Sequence, residues 1–170
     1  GRGALVLKVN YRGSAGYGEK FRELNVKNLG VGDAWDVQTG VESLVAKGWV
    51  DPTKVGCMGW SQGGYISAFL TTSTTLCAAV SVGAGISNWA TYYYNTDITP
   101  FTRQYLGATP WDNPKVYAVT SPITYIKGAK TPTLIQHGVA DQRVPPPDAF
   151  ELYRGLLDQG VTTKLIIYKG

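Results

Sequence analysis

The sequence predicts an α/β fold, a mostly parallel sheet with helices on both faces. Three observations carry that expectation. Short apolar runs alternate with helical patterns along the chain; glycine is abundant, 21 of 170 residues; and a glycine-rich segment, Gly59–Gly64, stands between an apolar run and a helical pattern. Strand alternating with helix needs crossover connections, and crossovers make strands parallel. The chemistry of such sheets gathers at the carboxyl ends of the strands.

The elements follow in order. Ala4–Val9 reads as a buried strand leaving into the loop Asn10-Tyr-Arg-Gly-Ser14. Asp33 opens a helix, and Asp36 favours its positive end. Val37, Val41, Leu44 and Val45 share one face of that helix, and Gly48 stops it. After a turn at Asp51-Pro52-Thr53 comes a short strand, Val55–Met58, then a helix over Gln62–Thr72 and a strand over Ala78–Val82. Residues 83–130 are irregular, aromatic and proline-containing, like a segment laid over a scaffold. Thr133–Gln136 is a further strand. Pro147 opens a helix with Ala149, Leu152, Tyr153, Leu156 and Leu157 on one face, and Gly160 ends it. Leu165–Tyr168 is the last strand.

Composition narrows the function classes. The length suits one domain with a real core. A net charge of +4 without any run of Lys or Arg does not imply nucleic acid. No stretch reaches the about 18 apolar residues of a membrane span, and no signal pattern opens the chain. The sequence starts at Gly1 and holds one methionine, Met58, so it reads as a segment of a longer protein. Cys57 and Cys77 are expected as buried free thiols. No Cys or His spacing suits a metal, and neither metal nor cofactor is expected.

The chemistry centres on Ser61 in Gly59-Trp-Ser-Gln-Gly-Gly64. A serine on a sharp strand-to-helix turn is the nucleophile elbow of α/β-hydrolases, and glycines beside it let strand and helix approach. The N–H of Gln62 would then meet the developing oxyanion at the positive end of the helix. In such enzymes an acid follows a later strand; Asp141, beyond the strand ending at Gln136, fits that position. Its bland alternative is a loop aspartate accepting backbone N–H groups. His137 is the only histidine. It precedes Asp141, the reverse of the expected order, and is read as structural. The loop Gly13-Ser-Ala-Gly-Tyr-Gly18 superficially suggests a phosphate cradle, but Glu19 stands where lysine is needed.

Asn10-Tyr-Arg-Gly-Ser-Ala-Gly-Tyr-Gly18, Gly59-Trp-Ser-Gln-Gly-Gly-Tyr65, Ser121-Pro-Ile123 and His137-Gly-Val-Ala-Asp-Gln-Arg-Val-Pro145 together resemble, in order, the signatures of the prolyl oligopeptidase family of serine peptidases. The tryptophan before the serine leans toward the dipeptidyl peptidase IV and acylaminoacyl peptidase branches. The resemblance implies one catalytic α/β-hydrolase domain over residues 1–170, incomplete at both ends. It implies peptide hydrolysis through an acyl-enzyme on Ser61, with Asp141 as the acid. Trp89, Tyr92 and Phe101 resemble substrate-pocket positions and Val144 a further wall residue; core packing is the competing account of these aromatics.

Gln62 and Arg143 depart from the dipeptidyl peptidase branch, which has tyrosine and asparagine there. The family's β-propeller, its histidine segment and its upstream oxyanion loop are expected outside this sequence. So is a strand between Ala4–Val9 and Val55–Met58, without which the sheet would carry a gap. Carboxylesterase or lipase activity on the same fold, or a non-catalytic binding module, are the alternatives. On its own the segment is expected to be inactive and to fold with little cooperativity.

Overall fold

The computed structural model describes residues 3–169. Helix α1 (Glu19–Glu23) and the longer α2 (Gly32–Ala46) precede a four-stranded sheet. The sheet runs β1 (Gly56–Trp60), β2 (Ala79–Gly83), β3 (Thr133–Gly138), β4 (Thr163–Tyr168), in that spatial order. Each neighbouring pair is parallel, so every return must cross over the sheet. Helix α3 (Gln62–Ser73) returns β1 to β2, and α7 (Pro147–Asp158) returns β3 to β4. Between β2 and β3 lie α4 (Trp89–Asn95), α5 (Thr99–Leu106), α6 (Pro114–Val119) and a 3-10 segment, Pro122–Gly128. The span expected to be irregular is therefore largely helical. Asn88 and Asn113 cap α4 and α6 by accepting the N–H of Ala90 and Val116 at 3.0 and 3.2 Å.

Register explains which face is buried. Gly59, Val82, Ile135 and Leu165 lie side by side, and Val82 and Ile135 are each 1% exposed. Ile66, Phe69 and Leu70 of α3 and Leu152 and Leu156 of α7 join the same core. The opposite row is Met58, Ser81, Leu134 and Lys164. Met58 there is 82% exposed. Both α3 and α7 also pack on the 3-10 segment, so these crossovers share one side of the sheet. No helix of the described residues covers the row of Met58, where the expected pattern put helices on both faces.

Two sequence expectations are corrected here. Ala4–Val9 forms no strand, and Val6 is 85% exposed. A strand exists only by pairing its N–H and C=O groups, and no described strand pairs with this run. Its Leu7 and Val9 side chains lie along α2, beside Gly40. Among the described residues β1 pairs only with β2, so its outer edge has no partner there. The second correction concerns the cysteines. Cys57 and Cys77 form a disulfide with Cα atoms 5.9 Å apart. Their sequence separation of 20 conceals this closeness. The crossover through α3 brings residue 77 back alongside β1, where Ala78 N–H donates to Val55 O at 2.8 Å.

Candidate active site

Ser61 stands between the end of β1 and the start of α3 with φ 56° and ψ −117°. That backbone region is costly for any residue with a Cβ, so the turn is held by its surroundings. Ser61 N–H donates to Gly83 O at 2.9 Å, and Ser61 O accepts from Tyr65 N–H at 2.9 Å. A Cβ on Gly59 would run into the Gly63 backbone, and one on Gly64 into Gly83 and Gly85. These two contacts are what glycine allows: the strand meets the helix at Gly59, and the helix meets β2 at Gly64. The result leaves the Ser61 side chain in solvent. Gln62 is the first residue of α3, where a main-chain N–H has no helical carbonyl to meet.

Asp141 follows β3 in a tight loop. Its Oδ1 accepts N–H from Arg143 and Val144, each at 2.9 Å. This is the geometry of a loop aspartate, and it also fixes the carboxylate plane while Oδ2 receives no hydrogen bond among the described residues. Ser61 and Asp141 leave the carboxyl ends of β1 and β3, with β2 between. Two strand spacings put their backbones about 10 Å apart, a gap that leaves room for an intervening side chain. His137 does not fill it. It is fully buried, and its Nε2–H donates to Val144 O at 2.6 Å. Its ring therefore braces the loop that holds Asp141.

The other candidates divide by exposure. Trp89 has 0% exposure, Tyr92 2% and Val144 3%. Trp89 stacks edge-on against Tyr65 and Tyr92, with centroids 5.1 and 5.3 Å away. As placed, these three are packing residues beneath the surface. Phe101, on α5, is only partly buried. The turn before α5 is tied to the acid's loop, since Asp97 N–H donates to Gln142 O at 3.1 Å. Arg143 adds an exposed ion pair with Asp97, its Nε 2.8 Å from Oδ1. Two hollows, of about 250 and 380 Å³, lie elsewhere: one beside Val41, Val45 and Leu76, the other beside Trp35 and Phe69. Neither is lined by Ser61 or Asp141.

Sequence reasoning read Asp33 only as the start of a helix. It is fully buried, and burial pushes its carboxyl up to about 6. Its Oδ2 lies 3.4 Å from Gln62 Nε2. Nothing in the local sequence distinguishes it from an ordinary capping aspartate.

A family model described as the prolyl oligopeptidase family matches residues 1–170. The acylamino-acid-releasing enzyme of Homo sapiens is 36% identical, over 98% of this chain and 24% of its own length. The uncharacterized peptidase YuxL of Bacillus subtilis is 31% identical, over 97% of this chain and 25% of its own. Among solved structures, Pyrococcus horikoshii acylaminoacyl peptidase superposes with a TM-score of 0.90 at 33% identity, covering 95% of this chain and 27% of that one. A Mycobacterium tuberculosis puromycin-hydrolyzing peptidase gives 0.89 at 27%, covering 95% and 25%. The chain thus spans about a quarter of the length of the curated relatives it matches. With the family matched along its whole length and the parallel sheet and elbow in place, the chain belongs to the prolyl oligopeptidase family and carries its α/β-hydrolase fold.

Proposed function

We propose that this chain is the nucleophile-bearing part of a serine peptidase that hydrolyses peptides through an acyl-enzyme on Ser61. The observation that carries the reading is the Ser61 backbone, φ 56° and ψ −117° at the β1-to-α3 turn. A strained, solvent-facing serine at the mouth of a parallel sheet has no packing use that would repay the strain.

In the proposed mechanism Ser61 Oγ attacks the scissile carbonyl carbon. The carbonyl oxygen gains negative charge and is met by Gln62 N–H at the positive end of α3. A general base takes the Ser61 proton and returns it to the leaving amine, and water then releases the acyl group by the same path reversed. The base is a histidine carried by the protein outside these 170 residues, since His137 is occupied in the core. Asp141 Oδ2 orients that imidazole and stabilises its charged form. Phe101 contacts the substrate, and Trp89, Tyr92 and Val144 form the packing behind it. The second oxyanion donor and the β-propeller also belong to the rest of the protein, so the isolated chain should turn over little.

The test is labelling with a fluorophosphonate in the intact protein, followed by Ser61→Ala. The label should sit on Ser61 and vanish in the variant. An intact protein that never labels there is no serine hydrolase. N-acylated peptides are the first substrates to try, because named relatives release acylamino acids. Cleavage of simple esters but no peptides would replace the peptidase reading by an esterase.

A further inference from the structure

Asp33 has no part in the mechanism above, and it has no ion-pair partner among the described residues. The nearby cation, Arg12, is taken by Asp36. Its Nε and Nη2 donate to Asp36 Oδ2 and Oδ1 at 2.8 and 2.7 Å, and its main-chain N–H donates to Oδ2 at 2.8 Å. Asp33 is left fully buried at the start of α2, its Oδ1 accepting Ala34 N–H at 2.8 Å. Burying a carboxylate without a cation is expensive, and here burial lifts it to about 6. The phenols of Tyr11 and Tyr65 both feel its charge, so it lies between the loop after residue 9, α2 and the helix that follows Ser61.

Backbone N–H groups of Ala34, Gly30 and Asp33 pull against that rise, and one side-chain donor joins them. Gln62 Nε2 approaches Asp33 Oδ2 at 3.4 Å, the only side-chain hydrogen bond of Gln62 among the described residues. Gln62 is the residue whose main-chain N–H would receive the oxyanion. The peptide joining Ser61 to Gln62 is held on its carbonyl side by Tyr65 N–H. Its N–H has no helical carbonyl to meet, and its direction follows from the carbonyl side because the peptide is planar. The Gln62 side chain reaching across to Asp33 adds a second restraint on the same turn.

We propose that Asp33 is a positioning residue for the nucleophile turn: through the Gln62 side chain it fixes the Ser61–Gln62 peptide in the orientation that presents its N–H to the oxyanion. The proposal rests on Ser61 being the nucleophile. The tether acts only on geometry, and oxyanion stabilisation is steep in geometry. It therefore weighs on the chemical step more than on substrate capture.

Three variants of the intact enzyme test it. Gln62→Met keeps the length of the side chain and removes its donor. It should lower kcat about 10-fold and slow fluorophosphonate labelling by a similar factor, with KM within about 2-fold of the parent. Asp33→Ala should do the same, and the double variant should be no slower than either single one, because both remove the same tether. Asp33→Asn should retain most of the rate, since the Gln62 amide can turn and accept from the asparagine. A Gln62→Met enzyme with parental kcat, or additive losses in the double variant, overturns the proposal while leaving Ser61 as nucleophile. If Asp33→Ala fails to fold, Gln62→Met and the Asp33→Asn rescue decide it. Absence of Ser61 labelling in the parent protein defeats both readings together.

Discussion

A buried carboxylate is informative at the level of a single residue because its cost must be met nearby or it keeps its proton. Asp148, the second residue of α7, is fully buried, and its Oδ1 accepts the N–H groups of Ser87 and Asn88 at 2.9 Å each. Its Oδ2 has no hydrogen-bond partner among the described residues. Burial pushes the group up to about 7, against the pull of those two backbone donors. A folded-state value above the unfolded one near 3.8 means that the native state holds the proton more tightly. That contribution is complete below about pH 4 and is lost as the pH rises through about 7. Its size is on the order of a few kcal/mol. Asp148→Asn keeps the acceptor and never charges, so it should flatten stability across that window and raise the melting temperature at pH 8, while matching the parent near pH 4. Thermal melts at the two pH values check this; equal shifts at both would mean that Asp148 is not the titrating group. No sequence pattern marks Asp148 or Asp33, because burial is a property of what packs over a residue and not of its neighbours in the chain.

The glycines of the nucleophile turn act at the level of elements, and their roles are unequal. Gly64 is where α3 meets β2, and an added methyl would press on the Gly83 backbone. An added methyl on Gly63 would meet nothing. Gly64→Ala should therefore cost about 1–3 kcal/mol as overpacking, while Gly63→Ala should be neutral or up to about 1 kcal/mol stabilising, as alanine is in a helix. Denaturant midpoints separate the two, and equal losses would contradict the packing account. The disulfide bounds the same region, closing a loop with a sequence separation of 20 around the whole of α3. Replacing both Cys57 and Cys77 by serine should cost about 3 kcal/mol, seen as a melting shift that reductant reproduces in the parent. The elements themselves were legible where a local rule decides them: β1 to β4, α3 and α7 all fall within a few residues of their expected spans. Ala4–Val9 was misread because an apolar run reveals that a segment wants burial, not whether a partner strand exists. The cysteines were misread because their pairing depends on the crossover and not on spacing. The aromatic residues of 83–130 looked like pocket walls, and Trp89 and Tyr92 are buried; composition cannot tell a lining from a core.

Across the whole molecule the sheet is protected unevenly, and this shapes how the chain behaves alone. The places of Ser61, Gln62 and Asp141 at strand ends were legible in the sequence because the turn chemistry and strand order that set them are contained in this chain. No imidazole partner for Asp141 was legible, because the one histidine of the sequence, His137, is buried and donates to Val144 O. The same holds for the sheet. The face bearing Met58 and Trp60, 82% and 59% exposed, lacks a covering helix among the described residues, and the outer edge of β1 has no partner strand. An open edge beside an apolar face is a template for pairing with another copy. Produced by itself, the 170-residue chain should therefore associate and unfold without a sharp transition. Met58→Lys puts a charge on the exposed face of the edge strand β1, the device by which natural edges resist pairing. It should raise the monomer fraction in sedimentation while leaving the buried row through Val82 and Ile135 untouched. In the intact protein, where about three-quarters of the relatives' length lies outside the matched part, the same lysine should instead destabilise, because a strand or helix laid over Met58 would bury its charge. Opposite signs in the two settings would locate the cover on this face. A monomeric isolated chain with a sharp, cooperative melt would show that the edge is already protected and would remove the basis for both expectations.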